Sequence, residues 1–322
     1  MTEFVIYNLE LDGQGGAQEL ALSDLPTQLP IQGRRWIHLD CLDDLAKAWL
    51  STVEGVPETV VDALFAEETR PRTVKMATGL LVNLRGVNHN PNSDPSDMVS
   101  LRLWVTPYFI VSTRRRKLLS VQDVVKDLAN KEGPRNTADI LVTLTARLTE
   151  RMAGVINSLE DQLSELEESI GVGVELGQRD SLVQRRLETI RLRRFLVPQK
   201  NAINKLYQES QALMTVDQLI QTQEAANDIT RYVESLESLR ERCFLMQEEF
   251  VNLHSEKMNA RMYVLSILSG IFMPLGFLTG LFGINIGGMP GTDSPLAFWI
   301  FCGSLLILGI GQFVLMRRSR WF

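Results

Sequence analysis

Residues Met262–Phe282, MYVLSILSGIFMPLGFLTGLF, and Leu296–Met316, LAFWIFCGSLLILGIGQFVLM, decide the class of this chain. Each stretch is 21 residues long and contains no Asp, Glu, Lys or Arg. A helix rises about 1.5 Å per residue, so either stretch crosses a hydrocarbon core of about 30 Å. Only Gly283–Pro295 lies between them. The reading is a two-helix membrane anchor with a short external loop, the lipid bilayer as its environment, and 261 residues on one side.

Charge separates the two parts. The chain carries a net −6, but residues 262–322 hold one acid, Asp293, and three bases, Arg317, Arg318 and Arg320. The first 261 residues therefore hold 38 acids and 30 bases, a net of −8. An acidic front does not suit nucleic acid, and it does suit a surface that gathers cations. Lys257 and Arg261 precede the first span, Arg317, Arg318 and Arg320 follow the second, and the loop has no base. The positive-inside rule then predicts two cytoplasmic termini and an outward loop. Met1-Thr2-Glu3-Phe4 shows no basic and apolar leader, so no cleaved signal peptide is expected. Cys41, Cys243 and Cys302 are scattered and odd in number, which points to a reducing compartment rather than a disulfide framework.

The fold class read from the residues is an α+β membrane protein. Residues 1–120 predict a mixed α/β domain, with strands at Phe4–Leu9, Trp36–Leu39, Leu80–Arg85 and Leu101–Thr113 and helices at Asp43–Ser51 and Pro57–Ala66. Asn88–Asp97 is a turn-rich loop between two antiparallel strands. Residues 121–215 predict a cytoplasmic helical region. In it Leu141, Leu144, Leu148, Val155, Leu159, Leu163 and Leu166 form one apolar stripe, and Pro198 is a candidate kink. Residues 216–261 predict a stalk helix with no strong breaker before Pro274. Continued through the first span (262–282) it is about 100 Å long, so it needs partners along its length. The loop (283–295), the second span (296–316) and a basic tail (317–322) complete the order.

The stalk has a periodic face. Glu234, Glu241, Glu248, Ser255, Met262, Ser269, Gly276 and Gly283 recur every seven residues. Arg231, Ser238, Leu245, Asn252, Asn259, Ser266, Met273 and Gly280 interleave with them, and the two series make one stripe. The stripe is acidic and polar in the cytosol, and small or polar with two methionines in the membrane. The facing residues, Ile229, Tyr232, Leu236, Leu239, Cys243, Met246, Phe250 and Leu253, are predicted to pack against other helices. One arrangement accounts for both faces: several copies surround an axis, with Glu234, Glu241 and Glu248 as funnel acids and the small stripe lining a water-filled lumen. Two spans per chain do not enclose a pore, so this reading requires a homo-oligomer. Read as packing alone, the acids are a solvated coiled-coil face and the Ser and Gly residues are helix contacts. That leaves a membrane-tethered helical scaffold or sensor as the alternative of another class.

Met273-Pro274-Leu275, followed by Phe277-Leu278-Thr279-Gly280-Leu281-Phe282-Gly283-Ile284-Asn285, resembles the end of the first transmembrane helix in the CorA family of divalent-cation transporters. That family's signature at the outer pore mouth is Gly-Met-Asn, and Gly283-Ile284-Asn285 stands in its place here. The Gly-Ile-Asn version and the loop Gly287-Gly288-Met289-Pro290-Gly291 resemble the zinc-transporting ZntB branch. The acidic Met-Pro-Glu loop usual in the magnesium branch is absent. Arg317-Arg318-Ser319-Arg320-Trp321-Phe322 is similar to the family's basic terminus. Arg70-Pro71-Arg72 and Ile110-Val111-Ser112-Thr113-Arg114 resemble cytosolic segments of the same branch.

The resemblance implies a homopentamer in the bacterial inner membrane, with a cytoplasmic α/β/α domain, five stalks forming a funnel, and an outer second helix. The implied cargo is Zn2+, taken up with protons, and no tightly bound cofactor. Gly283, Ile284 and Asn285 would form the mouth, with the Asn285 amide oxygen holding a hydrated cation transiently. Asn259, Met262, Ser266, Ser269, Met273, Gly276 and Gly280 would line the pore. A CorA-type Mg2+/Co2+/Ni2+ channel is the alternative within the class.

Other chemistry is sparse. The histidines are His38, His89 and His254, without metal-ligand spacing, and His38-Leu39-Asp40-Cys41 is the nearest cluster. Ordinary strand packing is its first reading. His254 lies one position off the stripe, and Glu248 is the uppermost acid on it. Arg114-Arg115-Arg116-Lys117 reads as a solvated turn, or as a partner of helix acids from Glu160 to Glu168. No nucleotide-binding motif and no nucleophile–base arrangement occurs, so neither nucleotide-driven transport nor enzymatic activity is expected.

Overall fold

The computed structural model describes residues 4–67, 70–172, 176–283, 291 and 294–318. Ile284, Asn285, most of the following glycine loop with Asp293, and Arg320-Trp321-Phe322 lie outside the described residues. The chain divides into two compact units, Met1–Gln247 and Glu248–Phe322.

The first unit is built on one sheet of β1 (Val5–Leu11), β2 (Ala17–Glu19), β3 (Arg35–Asp40), β4 (Arg72–Met76), β5 (Gly79–Gly86), β6 (Val99–Val105) and β7 (Phe109–Arg114). Their order is β2-β1-β3-β7-β6-β5-β4, with β3–β7 parallel and the other pairs antiparallel. The run expected as one strand, Leu101–Thr113, is a hairpin. Pro107 has no N–H to give a ladder, and Thr106 closes the turn on Phe109, its hydroxyl oxygen accepting from Phe109 N at 3.0 Å. β2 and β4 were not expected, because one is three residues long and the other carries Arg72 and Lys75. The Asn88–Asp97 loop does join two antiparallel strands, β5 and β6.

Helices cover both faces. On one, α1 (Asp44–Thr52) and α2 (Glu58–Phe65) bury Leu50, Val60 and Leu64 against Ile37, Leu39, Trp104 and Val111. The Asp43 carboxylate caps α1 by accepting from Leu45 N at 2.9 Å. On the other lie α3 (Leu119–Ala129), α4 (Thr137–Val172) and α5 (Leu176–Glu209). Gly86 lets α4 approach, since a Cβ there would sit 2.5 Å from Leu148 Cδ2. Gln199 locks α5 to β5: its Oε1 accepts from Arg85 N at 2.7 Å and its Nε2 donates to Arg85 O at 3.0 Å. Pro198 sits inside α5 beside this clamp. The layers are therefore α/β/α.

In the Arg114–Lys117 cluster Arg115, Arg116 and Lys117 are exposed, as the solvated-turn reading expects, and no ion pair to the α4 acids occurs among the described residues. Arg114 is half-buried near Tyr7 and Asp40, Arg115 donates to Glu67 O at 3.1 Å, and Arg116 pairs with Asp97 at 2.7 Å.

The stalk, α6, runs Val216–Phe282 as one 67-residue helix. A capping box starts it. Thr215 N donates to Gln218 Oε1 at 2.8 Å, and Thr215 Oγ1 accepts from Gln218 N at 3.4 Å. In the second unit α7 (Ala297–Arg318) runs antiparallel to the end of α6. Gly270 faces Met316, Leu275 faces Gly309, and the Phe282 and Phe301 rings lie 4.8 Å apart. Both helices are long and apolar enough to cross a membrane.

Candidate ion pathway

The part of α6 within the first unit has one buried and one open face. Ile229, Leu236, Leu239, Cys243 and Met246 are buried, as their spacing predicts. Arg231, Glu234, Ser238, Glu241 and Leu245 are exposed on the opposite side. Two sets of polar contacts fix this rotation. On one shoulder Arg242 forks onto Glu167 of α4, at 2.9 and 2.6 Å, and reaches Ser164 Oγ at 3.0 Å. On the other, Arg193 of α5 pairs with Glu237 at 2.6 Å and Arg186 of α5 donates to Gln247 at 2.5 Å. The Arg242 hydrogen bond and charge hold the Glu167 carboxyl below the usual range. Burial raises the Cys243 thiol, which keeps it protonated within the packed face.

In the second unit Glu248, Asn252, Ser255, Asn259, Met262, Ser266, Ser269, Met273, Gly276 and Gly280 are all exposed. The half-buried residues Ile267, Ile271, Leu275 and Leu278 mark the face turned to α7. At 100° per residue, this face and the small-residue stripe lie roughly 180° apart. α7 answers with Ala297, Phe301, Leu305, Gly309, Gln312 and Met316, half-buried at three- and four-residue steps. The in-chain partner therefore leaves the stripe uncovered. A Cβ at Gly276 or Gly280 would meet nothing within 4 Å. The Ser266 hydroxyl donates to Met262 O at 2.8 Å, which satisfies its hydrogen and leaves its oxygen lone pairs free for a cation or water. Gly283 ends the helix, its N–H donating to Thr279 O at 2.9 Å. Ile284 and Asn285, which follow it in the sequence, lie outside the described residues.

The other candidates are not part of this surface. His38 is fully buried, accepts or donates through Nδ1 to Ser112 Oγ at 2.7 Å, and is held neutral by burial with a pKa of about 3. Cys41 Sγ accepts from Arg102 Nη1 at 3.3 Å. Strand alternation and these partners separate the two potential ligands. Among the described residues no three His, Cys, Asp or Glu side chains converge as metal ligands. His254 is exposed on α6. Sequence reading missed Gln312, the amide of α7 that faces α6 beside Pro274; its Oε1 is buried without a partner. A lone amide in an apolar span was the available signal.

Residues 32–318 match the family model described as CorA-like Mg2+ transporter protein. The chain is 38% identical over 326 residues to the divalent cation transporter CmaX of Pseudomonas aeruginosa, covering 98% of this chain and 96% of that one. It is 34% identical over 316 residues to the zinc transport protein ZntB of Pectobacterium atrosepticum, covering 98% and 95%. The solved structure of full-length CmaX superposes with a TM-score of 0.85 at 35% identity, covering 98% of each chain. The match runs through the sheet, the stalk and both membrane helices, and the chain belongs to the CorA family of divalent-cation transporters.

Proposed function

We propose that this protein carries Zn2+ across the bacterial inner membrane through a homopentameric pore, with both termini in the cytoplasm. The observation that carries the reading is the exposed stripe on α6, mostly polar and acidic in the first unit and small or polar with two methionines in the second, where it lies opposite the face that α7 covers. Copies of this stripe around an axis form a wet lumen. Glu234, Glu241 and Glu248 raise the local cation concentration at its cytosolic end. Ser266 and Ser269 offer oxygens within the bilayer, and Gly276 and Gly280 keep the backbone accessible. Gly283, Ile284 and Asn285 form the outer mouth, where a neutral amide holds a hydrated ion without trapping it. Zinc is favoured over magnesium by the Gly-Ile-Asn loop and by the likeness to ZntB. Proton coupling belongs to the same reading.

The likeness to CmaX, a divalent cation transporter, supports a broader divalent selectivity as the second reading, that of a CorA-type Mg2+/Co2+/Ni2+ channel. Radioactive-zinc uptake into proteoliposomes separates them. The zinc reading expects saturable uptake that excess Mg2+ leaves intact and an inward proton gradient accelerates. Equal competition by Mg2+ overturns the selectivity. Absence of any divalent flux overturns the pore.

A further inference from the structure

We propose that Gln312 is a positioning residue for ion passage: its side-chain amide donates to the Gly270 carbonyl, which Pro274 leaves without a helical donor, and so holds the two halves of the α6 stripe in line. The proposal deepens the pore reading and rests on it for the effect on flux.

Proline has no N–H, so the carbonyl four residues before Pro274, that of Gly270, loses its bond in the α6 ladder. In hydrocarbon no water replaces the donor, and a proline inside a spanning helix is tolerated where a neighbour supplies one. The nearby hydroxyls of α6 are turned elsewhere. Ser266 donates to Met262 O at 2.8 Å, and Thr279 donates to Leu275 O and Gly276 O, each at 3.0 Å. α7 is the neighbour that can supply the missing donor.

Depth and facing select Gln312. Met316 lies opposite Gly270, and Gly309 lies opposite Leu275. Gln312 stands four residues before Met316 and three after Gly309, so it is level with the interval of α6 that holds the gap. Pro274 and Gln312 are both half-buried and line one cavity of about 490 Å³ with Leu278 and Leu308. Among the described residues Gln312 is the only polar side chain in that lining, and its Oε1 is buried without a partner. A half turn about the last side-chain torsion exchanges this acceptor for the two N–H donors of the amide. A carbonyl short of a donor and an amide short of a partner thus share one depth of one apolar contact. Pairing them removes two unmet polar groups at once.

The consequence reaches the stripe. Met273 and Gly276 flank Pro274 and are exposed on the face away from α7. A helix whose ladder is interrupted at a proline bends there. Such a bend takes Gly276 and Gly280 out of line with Ser266, Ser269 and Met273, and a bond from α7 to Gly270 O stiffens that point.

The test uses the full-length chain, in nanodiscs for hydrogen exchange and in proteoliposomes for entry of Zn2+ and Co2+. Gln312→Met keeps the length of the side chain and removes the donor. Pro274→Ala returns an N–H to Gly270 O. Leu308→Met alters packing in the same cavity and touches no donor. Gln312→Met should speed amide exchange over Leu275–Leu278 at least about threefold and lower the maximal entry rate by a similar factor, with the half-saturating concentration unchanged, the scale of one lost hydrogen bond. In the Pro274→Ala background the same change should move either quantity by less than about 1.5-fold, because the carbonyl is already satisfied. Leu308→Met should match the parent. Equal effects of Gln312→Met in both backgrounds, no effect in either, or an equal effect of Leu308→Met overturns the pairing. Faster exchange with unchanged entry, in a chain that conducts, overturns the positioning role. A parent that passes neither ion sinks the pore reading, and the exchange pattern still decides the pairing.

Discussion

Gly276→Leu tests the ion pathway with little disturbance to the chain itself. A Cβ at this position meets no atom within 4 Å, and the residue lies on the α6 face turned away from α7. Leucine is a better helix former than glycine by roughly 0.7 to 1 kcal/mol, so α6 should not weaken. Gly309→Leu is the contrasting change. Its Cβ falls 3.9 Å from Leu275 Cδ1, inside the α6–α7 contact, so the rest of a leucine must displace that side chain. Overpacking of this kind costs about 1–3 kcal/mol. If the stripe lines a lumen, every copy adds a leucine at the same depth. Zinc entry should then fall at least about tenfold, equivalent to a barrier raised by about 1.4 kcal/mol. Gly309→Leu should instead lower the melting point, with a smaller loss of flux per folded oligomer. The assay is dye-reported zinc entry into proteoliposomes at matched protein density, paired with thermal melts of the same preparations. Full flux in Gly276→Leu would place the stripe against lipid or dry packing and remove the basis of the pore.

Three further outcomes follow from other parts of the molecule. Glu248→Gln removes the uppermost acid of the α6 stripe and, on the pore reading, should reduce zinc flux several-fold at low salt, with the difference shrinking as salt screens the remaining acids; flux and salt dependence equal to the parent's would dismiss its role. His38 is held neutral by burial with a pKa of about 3, whereas in the unfolded chain it titrates near 6.5, so the unfolded state takes the proton first. Its contribution is complete above about pH 6.5 and is lost as pH falls towards 3, at about 1.4 kcal/mol per unit, so between pH 7 and 5 the parent should lose roughly 2 kcal/mol more unfolding free energy than His38→Gln in urea titrations. Arg102 is almost fully buried and donates to Leu64 O at 3.1 Å and Ala66 O at 2.6 Å at the end of α2. Arg102→Met removes the guanidinium from Ala66 O and leaves Leu64 O with the Thr113 hydroxyl at 2.8 Å, and should cost about 1–3 kcal/mol by denaturant unfolding, with an unchanged midpoint counting against the account.

Sequence alone determined the features that depend on local period and length. Twenty-one uncharged residues, twice, admit a membrane, and a heptad alternation of acidic and apolar residues set which side of α6 is buried, because a helix has no freedom to move one residue without its neighbours three and four away. The bounds of α6 were legible for the same reason, since nothing between Val216 and Pro274 breaks a helix. Tertiary structure decided what depends on partners distant in sequence. The sheet order, the parallel β3–β7 pair and the split of Leu101–Thr113 into a hairpin follow from pairings across dozens of residues. Nor could any local pattern place Arg115 on the Glu67 carbonyl or Gln199 on both polar groups of Arg85. The division of α6 into two shoulders was equally hidden, because it is made by the long side chains Arg242, Arg193 and Arg186, whose partners lie 44 to 75 residues away and are chosen by packing rather than by period.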